Sequence, residues 1–123
     1  MVMLMKLAEI VEAFDLDVKC CRDALDTGVA CGYASDLLSD VLANSGEGAV
    51  WITLQTHQNI VAIAGMKGHA GIVLINGREP EEDTLVKAEQ ENVPIMVSKL
   101  SAFDLVGRLY EMGVRGAGSG NED

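Results

Sequence analysis

The segment Ala49–Pro80 constrains the fold more than any other part of the chain. It reads AVWIT-LQTHQN-IVAIAGMKGHA-GIVLI-NGREP. The apolar runs Ala49–Thr53 and Gly71–Ile75 are rich in β-branched residues and carry no charge. Such runs read as strands covered on both faces, not as the alternating strands of a half-exposed sheet. Between them lies a helix-length segment, about Gln58–Lys67, that stops at Gly68. Strand, helix, strand is the grammar of a βαβ unit with parallel strands. Parallel strands deliver the loops Leu54–Gln58 and Asn76–Pro80 to one edge of the sheet, where open α/β sheets bind ligands.

The flanking segments continue the alternation. Met1–Phe14 is expected to be a helix, with Leu7, Ile10, Val11 and Phe14 on one apolar stripe. Val18–Cys21 is a short strand, Arg22–Gly28 a turn-rich connector and Val29–Ala34 a second strand. Ser35 is placed to cap the next helix, with Asp36 in its first turn and Leu37, Leu38, Val41 and Leu42 as its buried stripe. Asn44 or Gly46 is expected to end that helix with a positive φ. On the central helix, Ile60, Ile63, Ala64 and Lys67 define one face, and Val61, Gly65 and Gly68 a small-residue face suited to close packing. Pro80 fits the first position of a helix to Asn92. Val93–Ser98 is a strand whose Pro94 suggests a sheet edge. Ser101–Asp104 resembles a capping box opening the last helix, with Leu105, Val106, Leu109 and Met112 as its apolar contacts. The order β-α-β-α-β-α predicts an α/β fold, three layers α/β/α around a mostly parallel sheet. Residues 1–113 are expected to form one domain and 114–123 a Gly-rich disordered tail.

At 123 residues, 49% of them apolar, the chain can bury a real core, and with only 4% aromatic residues that core must be aliphatic. A net charge of −10 with no Lys/Arg cluster argues against nucleic acid as a partner. No apolar run approaches the ~20 residues of a membrane span, and the N-terminal MVMLMK lacks the pattern of a signal peptide. A cytoplasmic protein without membrane contact is expected. Cys20, Cys21 and Cys31 fit neither a secreted disulfide framework nor a Cys-x-x-Cys site, and read as small buried or half-buried thiols in a reducing compartment.

Catalytic templates are missing. The sequence has no P-loop, no G-x-G-x-x-G, no G-x-S-x-G elbow and no H-E-x-x-H around His57 or His69. No catalytic residue, metal ligand or cofactor is expected. The candidates for ligand binding are polar loop residues on the predicted edge. Thr53, Gln55, Thr56, His57, Gln58 and Asn59 lead into a helix N-terminus whose amides favour an anion, with Thr56 as the cap. A capped helix start with a solvated His is the competing reading. In the second loop, Gly77 supplies a positive φ beside Asn76, and Arg78 either reaches an anion or pairs with an acidic neighbour. Ser35 and Asp36 complete the candidate set. Asp36 and Asp40, at i and i+4, could hold a divalent ion weakly, against a solvated face as the alternative. Trp51 is read as core.

At these residues the chain resembles a known family. The stretches GYASDLLSDV (32–41), AVWITLQTHQNIVAIAGMKGHAGIVLINGREPEEDTL (49–85) and VPIMVSKLSAFDLVGRLYEMG (93–113) are similar to the DRTGG domain family. More distantly they are similar to the N-terminal domain of HPr kinase/phosphorylase, chiefly through GIVLINGREP. The resemblance runs from about Lys6 to Gly113. Thr56-His57-Gln58 stands where the family's Asp-Arg is expected, and Ile75-Asn76-Gly77 where its Thr-Gly-Gly is expected. The resemblance implies an α/β/α domain of regulatory type. In larger proteins such domains accompany CBS pairs, phosphate acetyltransferase or cobyrinic-acid-synthase-type domains. In CBS-containing pyrophosphatases they contribute to dimerisation and to the adenine-nucleotide-responsive region. Small stand-alone members tend to be encoded beside iron-only hydrogenase subunits in anaerobic bacteria. Kinase activity is not implied, because there is no P-loop.

Together these readings lead to a non-catalytic regulatory domain, a homodimer that senses a small anionic, nucleotide-like metabolite on the edge carrying loops 54–59 and 76–79. The alternative is an interaction or oligomerisation subunit that docks on a redox enzyme such as an iron-only hydrogenase system.

Overall fold

The computed structural model describes residues 4–117. In chain order the elements are β1 (Met5–Lys6), α1 (Leu7–Phe14), β2 (Asp17–Cys20), a 3-10 turn (Arg22–Ala24), β3 (Gly28–Val29), β4 (Cys31–Ala34) and α2 (Leu38–Asn44). There follow β5 (Ala49–Thr53), α3 (Asn59–Lys67), β6 (Gly71–Leu74), α4 (Glu82–Glu91), β7 (Ile95–Val97) and α5 (Ala102–Met112). The main sheet has the order β2-β7-β6-β5-β4. β4, β5, β6 and β7 are mutually parallel, and β2 lies antiparallel on the outer side of β7. The α/β class, the three layers and the mostly parallel sheet are those the alternation predicts.

The uncharged runs are strands covered twice. Val50, Ile52, Val73, Ile75 and Met96 pack beneath α1 and α5 against Leu7, Ile10, Leu105 and Leu109. Trp51, Ile72, Leu74, Ile95 and Val97 point the other way, into a core with Val41, Ile60, Ile63, Ala64 and Ala88 of α2, α3 and α4. Alternate residues of each strand therefore feed alternate cores, and both sets are apolar up to Thr53 at the end of β5. Each fully buried Leu, Ile or Val adds ~1.5–3 kcal/mol of transfer free energy.

Several local expectations are corrected. The first helix begins at Leu7 and not at Met1, because Met5–Lys6 pairs with Gly28–Val29. That pairing also divides the expected strand 29–34 in two. Residues 1–3 lie outside the described residues. Ser35 does not cap α2: its hydroxyl accepts only from Leu37 N (3.2 Å), and the helix starts later, at Leu38. Asp36 turns instead toward the end of β5. The late start rotates the helix, so Val41 is buried while Leu37 (65% exposed) and Leu42 (43% exposed) are not. α2 ends at Ser45 with φ −78°, and the positive φ falls on Gly48. Gly48 is forced there: a Cβ would lie 2.8 Å from Ala30 Cβ.

On α3, Val61 belongs to the buried face with Ile60, Ile63 and Ala64, and Gly65 faces solvent. α4 begins at Glu82, with Pro80 ahead of it. Pro94 does not mark an edge, for β7 lies between β2 and β6. The proline precedes the strand, and its carbonyl accepts from Ile72 N (2.9 Å), a bond that needs no proline N–H. The last helix is capped as expected, Ser101 Oγ accepting from Asp104 N. Of the Gly-rich segment, Arg115 O accepts from Gly32 N (2.8 Å) and Gly116 forms a bridge beside Gly32, so its start adds to the β4 edge. The remainder of the expected tail, 118–123, lies outside the described residues.

Candidate functional site

The two candidate loops share a rim. β5 and β6 are parallel in a register that sets Thr53 beside Leu74, and Ile75 N donates to Thr53 O at 3.2 Å. Both chains therefore leave the sheet at the same edge. At the end of β4, Asp36 fastens the neighbouring loop. Its Oδ1 accepts from Thr53 Oγ1 (2.8 Å) and Leu54 N (2.7 Å), and its carbonyl accepts from Gln55 Nε2 (2.8 Å). Gln55 N in turn donates to Thr53 Oγ1 at 3.2 Å. The structure brings Asp36, Thr53 and Gln55 together with Ser35 adjacent, but they satisfy one another.

Asp36 does not pair with Asp40 for a cation. Asp40 takes the Tyr33 hydroxyl and the Asn44 amide, both at 2.9 Å. The amide of Asn44, then Ser35 and Tyr33, hold its carboxyl below the usual range.

The start of α3 differs from expectation. Thr56 is not its cap. His57 Nδ1 accepts from Asn59 N (3.1 Å), and the Ile60 and Val61 amides reach back to the carbonyls of His57 and Gln58. Those amides are already occupied, so an anion finds less there than a bare helix start offers. Thr56 O accepts from Glu81 N (3.2 Å) and from Thr84 Oγ1 (2.7 Å), which closes the gap between loop 54–58 and the start of α4. Thr84 is fully buried. α3 and α4 pack in the same core, so the connections do not change face between β5 and β6. A switch-point crevice opens where they do.

That change comes at β7: α4 packs on one side of the sheet and α5 on the other. Loop 76–80 leans toward it. Asn76 (φ 56°) and Gly77 (φ 66°) are consecutive left-handed residues, as expected for Gly77. Their amides donate to Leu100 O (2.9 Å) and Ser98 O (2.8 Å), tying the loop to the β7–α5 connection. Beside it is an open hollow of about 410 Å³ lined by, among others, Phe14, Asp17, Gly77, Glu79, Lys99 and Arg108. Glu79 pairs with Lys19 (2.8 Å), which also reaches Asp17 at 2.8 Å. Arg78 is exposed and forms no ion pair among the described residues. Lys99 and Arg108 were missed by the sequence reading. Lys99 follows the strand after Asn76–Pro80 and falls on the same edge by the same grammar. Arg108 arrives only through the packing of α5.

The two histidines cannot share a site, since they lie at opposite ends of α3. His69 is half-buried at the edge of the core: Nε2 meets Ser45 Oγ at 2.8 Å, and the ring stands edge-on to Trp51 at 5.5 Å. Burial, then Lys67, pushes its imidazole down to about 4. Trp51 is fully buried, as expected, with Nε1 donating to Ser35 O at 2.9 Å. The three cysteines are buried and unbridged, again as expected. No helix among the described residues is long and apolar enough to cross a membrane.

The sequence matches no protein-family model and no curated protein. A solved structure does match. It is the regulatory region of Clostridium perfringens pyrophosphatase, its CBS and DRTGG domains in complex with the activator diadenosine tetraphosphate. The likeness has a TM-score of 0.66 at 12% identity and covers 83% of this chain and 44% of that one. The fold resembles that regulatory region. The chain spans less than half the length of this neighbour.

Proposed function

We propose that the chain is a non-catalytic regulatory domain that senses a small anionic, nucleotide-like metabolite on the C-terminal edge of its sheet, acting as a homodimer. The observation that carries this reading is the shared rim, with Arg78 exposed and unpaired among the described residues, beside a hollow lined by Lys99 and Arg108 together with Asp15, Asp17 and Glu79. Loop 54–58 is the fastened wall of the rim, and loop 76–80 with the start of α5 is the open one. Ligand contacts are assigned to Asn76, Gly77 and Arg78, with His57 and Gln58 at the near side. A fold shared with a region solved with a nucleotide activator supports the same reading. A dissociation constant near 0.1 mM needs only ~5.5 kcal/mol, which the Arg78 guanidinium and a few side-chain contacts from Asn76, His57 and Gln58 supply. Binding regulates by favouring one arrangement of the loops or of the dimer.

The test is thermal denaturation with diadenosine tetraphosphate, ATP and AMP as probes. A saturable rise in Tm that is reduced in Arg78→Ala supports the proposal. No rise with any probe at millimolar concentration overturns it.

One observation favours the interaction-subunit reading. Phe103 (89% exposed), Val106 (36%) and Tyr110 (54%) form an apolar stripe along the outer side of α5. Capture of a redox-enzyme partner that is lost in Phe103→Lys, with no response to nucleotides, would decide for it.

A further inference from the structure

β2 ends in two irregularities, and both act on the adjacent cysteines. In a regular strand, neighbouring side chains take opposite faces and next-but-one side chains share a face. Val18 packs in the core beneath α1 and α5, so an unbroken strand would send Cys20 there too. Cys20 lies instead in the opposite core, with α3 and α4. The cause is a bulge: Val18 pairs with Met96, and Cys20, not Lys19, pairs with Ile95. Cys21 should then point away from Cys20. Its backbone enters the left-handed region, φ 61°, and its side chain joins the same core. Bulges re-aim side chains next to functional sites. A non-glycine residue held left-handed costs ~1–3 kcal/mol and is grounds for seeking a function.

Both thiols are turned onto the end of α4. Cys21 Sγ donates to Ala88 O (3.4 Å) and Cys20 Sγ to Val93 O (3.6 Å). Cys21 N donates to Glu89 Oε2 at 3.1 Å, which pins that carboxylate beside the pair. The two sulfur atoms and a Glu89 oxygen lie within 4.8 Å of one another, and Glu89 is exposed. Donors of a tetrahedral zinc shell, with bonds of ~2.3 Å to sulfur, stand ~3.7 Å apart. The three atoms would need to close by at most about 1 Å to meet that geometry.

We propose that Cys20, Cys21 and Glu89 form a site for a thiophilic divalent cation of the zinc class, bound by two thiolates and one carboxylate oxygen. The fourth position opens toward solvent on the Glu89 side. Two sulfurs and one oxygen are a donor set that zinc accepts and that magnesium or calcium does not favour. On binding, each thiol gives its proton to solvent and its sulfur lone pair to the ion, and the weak S–H bonds to the Ala88 and Val93 carbonyls are released. Burial first, then the neighbouring Cys20 and Glu89, pushes the Cys21 thiol up to about 12. Burial also pushes Cys20 up. A thiol binds the ion only as thiolate, so uptake releases the thiol protons and affinity rises with pH.

The test titrates the reduced, metal-free chain with Co(II) alone and then displaces it with Zn(II). The expected result is one equivalent bound, with thiolate-to-cobalt charge-transfer absorption that zinc abolishes, and two protons released per ion. Cys21→Ser should remove the charge-transfer band. Glu89→Gln, which keeps an oxygen for the Cys21 amide but loses the charge, should weaken binding at least about tenfold, the scale lost even when an outer partner is removed. Cys31→Ser should change nothing. The proposal is overturned by the absence of the band at millimolar cobalt, by its persistence in Cys21→Ser, or by affinity unaltered in Glu89→Gln. A pair isolated as a disulfide that takes no cobalt after reduction also overturns it.

Discussion

Asp36 Oδ1 lies 2.8 Å from the Thr53 hydroxyl, joining the second residue after β4 to the last residue of β5. The same oxygen takes the Leu54 amide, so one carboxylate sets where loop 54–58 leaves the sheet. Thr53 is only 1% exposed, and its hydroxyl has no access to water as a substitute partner.

Asp36→Ala should therefore destabilise the fold by about 1.5–3 kcal/mol, the range for hydrogen bonds to a charged group with a buried donor left behind. Asp36→Asn keeps an acceptor oxygen and should cost less. Urea denaturation of the three proteins measures this. Equal stability of Asp36→Ala and the parent would mean that the carboxylate fastens nothing.

Gly48 and Gly77 separate backbone strain from crowding. Both have positive φ, 78° and 66°, but an added Cβ meets Ala30 at the first and nothing within 4 Å at the second. Gly77→Ala should cost about 1–2 kcal/mol, the penalty of the left-handed region alone. Gly48→Ala should cost clearly more, because Ala30 must also move. Chemical denaturation midpoints decide the order, and a larger loss at Gly77 would contradict it.

His69 makes stability depend on pH in a defined window. Its imidazole titrates near 6.5 when unfolded and is pushed down to about 4 in the fold, by burial and then by Lys67. Between those values the unfolded chain holds a proton that the folded chain refuses. The contribution is therefore complete above about pH 6.5, is lost as pH falls, and stops changing below about 4. The stability difference between the parent and His69→Gln, followed from pH 7.5 to 4, should shrink with acid. A difference independent of pH would show that the imidazole is not held neutral.

The sheet was legible in the sequence because its strands are buried on both faces. Ala49–Thr53 and Gly71–Ile75 have no charge to disguise them, and a helix-length spacer leaves parallel pairing as the solution. The shared rim follows from that pairing. Local capping was less legible. Ser35 and Asp36 have the composition of a helix start, but a tertiary bond to Thr53 and Leu54 outcompetes the local one. Pro94 suggests an edge only if it lies inside the ladder, and it lies one residue before it. His57 could be read as solvated or as ligand-facing, while its ring serves the Asn59 amide. The convergence of Cys20 and Cys21 was not legible, since a bulge and a left-handed residue leave no periodic trace.

The central claim is that the rim holding Asn76–Arg78 receives an anionic, nucleotide-like ligand. Its most direct test is a residue-resolved amide NMR titration of the full chain with diadenosine tetraphosphate. The account predicts saturable shifts confined to residues 54–58, 76–80 and 98–101, and about tenfold weaker binding in Arg78→Ala, equivalent to ~1.4 kcal/mol. Shifts absent at millimolar ligand, or clustered at the opposite edge around Gly48 and Gly68, would contradict it.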